Sequence, residues 1–151
     1  MKVLKDDNYR EKINSYTKQD WKPLFDLIPL IEQTDKFGDD TEAMKSLEKG
    51  IFIMDPYEEH HVVEQFREAV YAIPVMIDFD WSAWDEGRKI VSDDNFDYDS
   101  IDIPTKCKII SAIVRNDRFC SGRLVSAFET GMMLKVLRSI QRQAEPGEPA
   151  K

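Results

Sequence analysis

The chain has 151 residues, of which 42% are hydrophobic and 33% are charged, a size and composition typical of one globular domain. Eight Phe, three Trp and five Tyr exclude a wholly disordered chain, and no apolar run is long enough to span a bilayer or to act as a secretion signal. We therefore expect a cytoplasmic protein, in which Cys107 and Cys120 are buried free thiols.

The net charge of -8 is unevenly distributed along the chain. Residues 35–104 carry 19 acidic and 6 basic side chains, whereas residues 105–142 carry 8 basic and 2 acidic ones. The two segments can face each other and neutralise in the fold, or the basic segment can form a face that meets an anionic partner. The sequence leaves both explanations open.

The N-terminal half predicts helices after a polar start. Residues 1–19 predict a flexible segment or a marginal helix around Asn8 to Lys18. From Trp21 onward, apolar residues recur at intervals of three and four, as on one face of a helix, and Pro29 must kink or divide that helix. Asp55 and Pro56 predict the start of another helix, whose apolar stripe runs over residues 62–73.

The middle of the chain predicts a short strand pair and a helix that carries tryptophans. The apolar runs at residues 51–54 and 75–77 are short enough to be two paired strands. Asp80 is predicted to cap a helix that bears Trp81 and Trp84 near one face.

The C-terminal part predicts three helices. Pro104 opens one with a buried stripe that includes Cys107, and we expect this helix at the centre of the core. Ser121 is predicted to cap the next helix, and Gly131 separates it from the last one.

The predicted fold class is therefore mainly α. We expect a compact single-domain bundle of five or six helices over residues 20–142, with a short two-stranded element as an option. Residues 143–151 contain Pro and Gly and predict a disordered tail.

Three sequence blocks resemble a known family. They are DKFG at 35–38, IDFDWSAW at 77–84, and R-x-x-RFC-x-G-x-L-x-x-x-F-x-x-G from Arg115 to Gly131. Together they are similar to a bacterial family of small helical proteins without an assigned function. The family more often has a small or apolar residue where this chain has Arg123. The resemblance supports a helical fold and implies no activity.

The block from Arg115 to Gly131 holds the candidate site. Arg115 and Arg118 can stabilise the carbonyl end of their own helix or pair with Asp80 or Asp85. In the functional alternative, Arg115, Arg118 and Arg123 form an anion pocket with Cys120, and Trp81 or Trp84 stands in its wall.

Catalysis and metal binding have weaker support in the sequence. Cys120 beside arginines and a helix start has the features of a thiolate, but nothing in the sequence brings either histidine, His60 or His61, beside it to act as a base. The histidines lack the partner ligand of a zinc motif, and the aspartate-rich stretch 93–102 lacks the Gly and Glu of a calcium loop. We expect no metal and no cofactor.

A helix-turn-helix is a further hypothesis. Ala127, Gly131, Leu137 and Ile140 have the spacing of its buried positions, with Lys135, Arg138 and Arg142 outside. Against it, Met133 and Leu134 would lie on the exposed reading face of an acidic protein.

The function predicted from the sequence is a non-enzymatic protein that binds another protein, through its acidic face or through the region from Arg115 to Arg123. The alternatives are a small-anion binder or enzyme built on Arg115, Arg118, Cys120 and Arg123, and a DNA-binding helix pair. We expect neither nucleic acid nor a membrane as the partner, and the sequence leaves the oligomeric state open.

Overall fold

The computed structural model describes residues 3–39, 58–59, 61–119 and 122–144, and within them the fold is mainly helical, as predicted. The described α-helices are α1 (Tyr9–Asn14), α2 (Lys18–Phe25), α3 (Ile28–Glu32), α4 (His61–Ala72), α5 (Asp85–Ser92), α6 (Ile103–Asn116), α7 (Arg123–Glu129) and α8 (Met132–Ala144). Two short 3-10 helices, Trp81–Ala83 and Tyr98–Ser100, lie between α4 and α6.

The helices are more numerous than the five or six predicted because one predicted helix is divided in two and the N-terminal segment contains a further helix. The sequence allowed a kink or a break at Pro29, and the structure has the break: Pro29 lies in the first turn of α3, where a proline is tolerated. In the N-terminal segment, residues 9–14 form α1, which favours the helical alternative for this segment. Its Tyr9 and Ile13 lie in the hydrophobic core, as does Leu4 before it. The domain boundaries themselves stay predictions.

Two short strand pairs accompany the helices. β1 (Leu4–Lys5) pairs in parallel with β4 (Ile77–Asp78), and β2 (Gly38–Asp39) pairs antiparallel with β3 (Glu58–Glu59). The apolar run 75–77 therefore leads into a strand, as predicted. Its partner is the N-terminal strand β1, whereas residues 51–54, the predicted partner, lie outside the described residues.

The predicted helix around the tryptophans is broken at Trp84. Residues Trp81–Ala83 form a 3-10 turn, and α5 begins only at Asp85. Asp80 accepts a hydrogen bond from the Ser82 hydroxyl at 2.7 Å and caps no backbone amide, so the predicted cap is wrong. The non-helical backbone of Trp84, with ψ of 86°, separates the two segments.

Helix α6 lies at the centre of the core, as predicted. Asp102 caps it by accepting a hydrogen bond from the Thr105 amide at 3.0 Å, and Pro104 occupies its first turn. Its buried side chains contact α1, α7, α8 and β4. Cys107 is fully buried there, and burial raises the pKa of its thiol, so this residue is a small apolar core residue.

Candidate binding groove between α5, α6 and α7

Asp117 fixes the junction at which α6 ends and α7 begins. One oxygen of its carboxylate accepts a hydrogen bond from the Leu124 amide in the first turn of α7, at 2.9 Å. The other pairs with the guanidinium group of Arg67 on α4, at 2.5 Å. Gly122 precedes α7 with φ of 90°, a backbone conformation that favours glycine. The predicted cap, Ser121, lies outside the described residues.

Three arginines near this junction have no carboxylate partner in the part of the chain that the structure describes. Arg115 and Arg123 are half-buried and Arg118 is exposed. Among the described residues, none of the three forms an ion pair, and the Nε atom of Arg115 is buried without a hydrogen-bond partner. The predicted pairing of Arg115 and Arg118 with Asp80 or Asp85 is therefore wrong. The carboxylate of Asp80 accepts a hydrogen bond from the Ser82 hydroxyl, and that of Asp85 lies 3.4 Å from the guanidinium group of Arg88.

A groove with two tryptophans in its wall lies beside the junction. It encloses about 90 Å³ between the segment 81–91 and the helices α6 and α7. Its lining is mostly apolar, and its polar lining residues are Arg88, Asn116 and Arg123. Trp81, Trp84, Val91 and Ile113 are among the apolar lining residues.

The ring of Trp84 is held in place from several sides. A Cβ atom on Gly87 would lie only 2.3 Å from its Cε3 atom, so the ring rests directly on a backbone that has no side chain. The ring of Phe79 meets it edge-on with centroids 5.6 Å apart, and the ammonium group of Lys108 lies 5.2 Å from its centroid. This wall of the groove is therefore preformed.

Phe119 extends the aromatic surface beyond the groove. Its side chain is 77% exposed, and its ring centroid lies 6.1 Å from that of Trp81. It directly follows Arg118 in the chain. An exposed Phe and an exposed arginine thus lie next to a tryptophan-lined concavity.

The structure brings together some of the predicted site residues. Arg123, Trp81 and Trp84 line the same groove. Arg115 and Arg118 are not among its lining residues, and Cys120 lies outside the described residues.

A second cavity, of about 250 Å³, adjoins the groove and shares Val91 and Arg123 with it. Its wall also includes Asp93, Asp94 and Tyr98 on one side and residues of α7 and α8 on the other. Burial, followed by the carboxylates of Asp93 and Asp94, raises the pKa of Tyr98, so its hydroxyl stays protonated at neutral pH. Sequence reasoning missed this cavity, because its two sides, residues 91–98 and 123–135, are 25 to 44 positions apart in the chain.

A buried polar network lies below this region and was also missed. The ammonium group of Lys106 donates to the Tyr98 carbonyl at 3.2 Å, to the Ser139 hydroxyl at 2.7 Å and to Gln143 Oε1 at 2.6 Å. Ser139 donates to Asp99 at 2.5 Å. Burial lowers the pKa of Lys106 to about 8. A serine beside such a lysine resembles a nucleophile and its base, but both side chains are fully buried, so the pair holds the turn 98–100 against α8.

The basic residues of α8 are mostly engaged within the protein. Arg138 pairs with Glu32 at 2.5 Å and Arg142 pairs with Asp99 at 3.0 Å. Met133, which a helix-turn-helix would expose on its reading face, is fully buried. These contacts do not favour the DNA-binding hypothesis.

Two other hypotheses from the sequence concern metals and membranes. His61 is exposed at the start of α4, and His60 lies outside the described residues. Over residues 3–39, 61–119 and 122–144, no three His, Cys, Asp or Glu side chains are grouped as a metal site. In the same part of the chain, no helix has the length and hydrophobicity required to cross a bilayer.

Comparison with known proteins agrees with the resemblance seen in the sequence. No curated protein and no solved structure is significantly similar to the chain. The sequence model of the family of unknown function DUF6508 matches residues 16–146, which include α2 to α8 and the whole groove. The chain therefore belongs to the DUF6508 family.

Proposed function

We propose that this protein is a non-enzymatic, cytoplasmic bacterial binding module that recognises an acidic segment of another protein through the groove between α5, α6 and α7. The partner segment inserts one apolar side chain between Trp81 and Trp84. Asp or Glu residues that flank this side chain pair with Arg118 and Arg123.

The observation that carries the proposal is the combination of Phe119, whose ring lies beside Trp81, with Arg118 and Arg123, which have no carboxylate partner among the described residues. Tryptophan, aromatic residues generally and arginine are the side chains that most often dominate binding energy at protein interfaces. Phe119 is 77% exposed although the protein has a well-packed core, and Arg118 and Arg123 have no ion-pair partner among the described residues. A partner would cover the ring and neutralise the charges.

The size of the groove favours a side chain over a free ligand. Pockets for drug-sized molecules enclose about 300–1,000 Å³, whereas this groove encloses about 90 Å³. That volume accommodates one aliphatic side chain, and the rest of a partner segment would then lie across Phe119. The charge of Arg118 and Arg123 selects acidic neighbours for this anchor.

The two alternatives from the sequence have less support. An anion pocket or enzyme site requires Arg115, Arg118 and Arg123 to converge, but of these only Arg123 lines the groove. A DNA-binding helix pair requires free basic groups on α8, but Arg138 and Arg142 are paired with carboxylates.

Photo-crosslinking tests the proposal in cells of the source organism. A benzoylphenylalanine at position 119 is expected to capture a partner, and the same residue at position 30 serves as the control. Leu30 is a matched site because it is also an exposed large apolar side chain, at 41%. The capture at position 119 must disappear in an Arg118→Ala/Arg123→Ala variant and persist in Arg138→Ala, in which an arginine already paired with Glu32 is lost.

A peptide titration then tests the chemistry of the partner. Tryptophan fluorescence should report the binding of the captured segment as a synthetic peptide, and replacing its acidic residues with Asn or Gln should weaken binding at least about tenfold. Equal affinity of the acidic and the neutral peptide, or equal capture at positions 119 and 30, would contradict the proposal.

A further inference from the structure

The cavity that adjoins the groove carries opposite charges that do not neutralise each other. It encloses about 250 Å³ between the loop after α5 and the helices α7 and α8. Arg123 and Lys135 contribute positive charge, and Asp93 and Asp94 contribute negative charge. No ion pair joins these four described side chains, so their charged groups lie more than 4.0 Å apart across the cavity.

The hydrogen bonds of these residues leave most of the charged groups available. Lys135 reaches only the backbone carbonyl of Asp94, at 3.4 Å, and Asp93 accepts only the Asn95 amide, at 3.0 Å. The carboxylate of Asp94 and the guanidinium group of Arg123 make no hydrogen bond within the described part of the chain. Asp93, Asp94 and Lys135 are exposed and Arg123 is half-buried, so their charged groups are accessible from solvent and can pair with a ligand that enters the cavity.

The rest of the wall is of two kinds. Ser126, Thr130 and Tyr98 are among its lining residues, and the hydroxyl group of Tyr98 stays protonated because its pKa is raised by burial and by the two carboxylates. Val91 and Met132 add apolar surface. The cavity therefore offers a cationic side, an anionic side and a small apolar area.

We propose that this cavity binds a small zwitterion, a free α-amino acid or a close analogue. The ligand carboxylate pairs with Arg123 and Lys135, and the ligand ammonium group pairs with Asp94 and Asp93. The ligand side chain contacts Val91 and Met132. Such a molecule is the smallest common ligand that carries both charges at a fixed short separation.

The volume of the cavity agrees with this class of ligand. At about 250 Å³ the cavity is slightly smaller than the roughly 300–1,000 Å³ typical of pockets for drug-sized molecules, which favours a ligand as small as an amino acid. The inference rests on a different cavity from the groove proposed above, but the two sites share Arg123, so the two ligands would compete for its guanidinium group.

Calorimetric titration of the whole chain with the twenty common amino acids, at up to about 10 mM, tests the proposal. At least one amino acid is expected to bind with a submillimolar Kd. For that amino acid, the carboxylic acid without the amino group and the amine without the carboxylate are both expected to bind at least about tenfold more weakly, since each leaves one side of the cavity unpaired.

Two variants keep the test specific to this cavity. Asp94→Asn and Lys135→Ala should each weaken binding by about tenfold, whereas Asp78→Asn, which removes an exposed carboxylate on β4, should leave binding unchanged. Circular dichroism verifies that each variant is folded. The absence of binding by every amino acid, equal binding of the carboxylic acid alone, or binding unaffected by both cavity variants would overturn the proposal. None of these outcomes depends on capture of a protein at Phe119.

Discussion

Asp117 holds the junction of α6 and α7, so its replacement by alanine should destabilise the protein. The variant removes the hydrogen bond from the Leu124 amide at 2.9 Å and the ion pair with Arg67 at 2.5 Å. A side-chain cap contributes about 1 kcal/mol, and a hydrogen bond to a charged group about 1.5–3 kcal/mol. Because the side chains of Asp117 and Arg67 are only 11% and 24% exposed, solvent screens the pair weakly. We expect the free energy of unfolding to fall by about 3 kcal/mol.

Urea denaturation followed by far-ultraviolet circular dichroism measures this loss. Asp117→Asn separates the two contributions, because asparagine retains an oxygen that can accept from the Leu124 amide but carries no charge for Arg67. Its loss should be clearly smaller than that of Asp117→Ala. Asp78→Asn is the control and should change stability by less than about 0.5 kcal/mol. Equal losses for the two Asp117 variants, or a loss near that of the control, would refute the role assigned to Asp117.

Two further predictions concern the groove wall and the buried lysine. Gly87→Ala should displace the ring of Trp84, since the new Cβ atom would lie 2.3 Å from it, at a cost of about 1–3 kcal/mol; an unchanged near-ultraviolet dichroism spectrum would contradict this. For Lys106, whose pKa falls from 10.5 to about 8 on folding, the unfolded chain binds more protons between these two values, so stability rises with pH there. The unfolding free energy of the natural protein minus that of Lys106→Met should therefore rise by about 2.5 kcal/mol from pH 7 to pH 10. Urea denaturation measures both values, and a constant or falling difference would exclude the lowered pKa.

The helices that sequence predicted best are those whose apolar stripe is continuous. The stripe over residues 62–73 became α4, and the one after Pro104 became the central helix α6. Both rest on local periodicity, which a single sequence displays directly. The helix α1 was less evident because Tyr9 and Ile13, its only buried residues, lie in a segment that is otherwise charged.

The features that sequence reasoning missed depend on contacts between distant residues. Lys106 interrupts the apolar stripe of α6, and nothing near it in the chain indicates that Ser139 and Gln143 would satisfy its charge. The ammonium group of Lys135 likewise donates to the backbone carbonyl of Asp94, which lies forty-one positions earlier in the chain. The aspartate-rich stretch was compared with a calcium loop, whereas in the fold its carboxylates face basic residues of α7 and α8.

The position of Arg123 is the least explained by local structure. Arg115 lies in the last turn of α6, where the helix dipole favours a cation, so it has a structural reason to be basic. Arg123 is the first residue of α7, and the dipole of α7 disfavours a cation at this end by a few tenths of a kcal/mol. No described carboxylate compensates it, although Arg138 and Arg142, in the same basic segment, both found acidic partners. Arg123 lines both the groove and the adjoining cavity, so the acidic segment and the zwitterion proposed above would each supply a negative charge that the described residues do not provide.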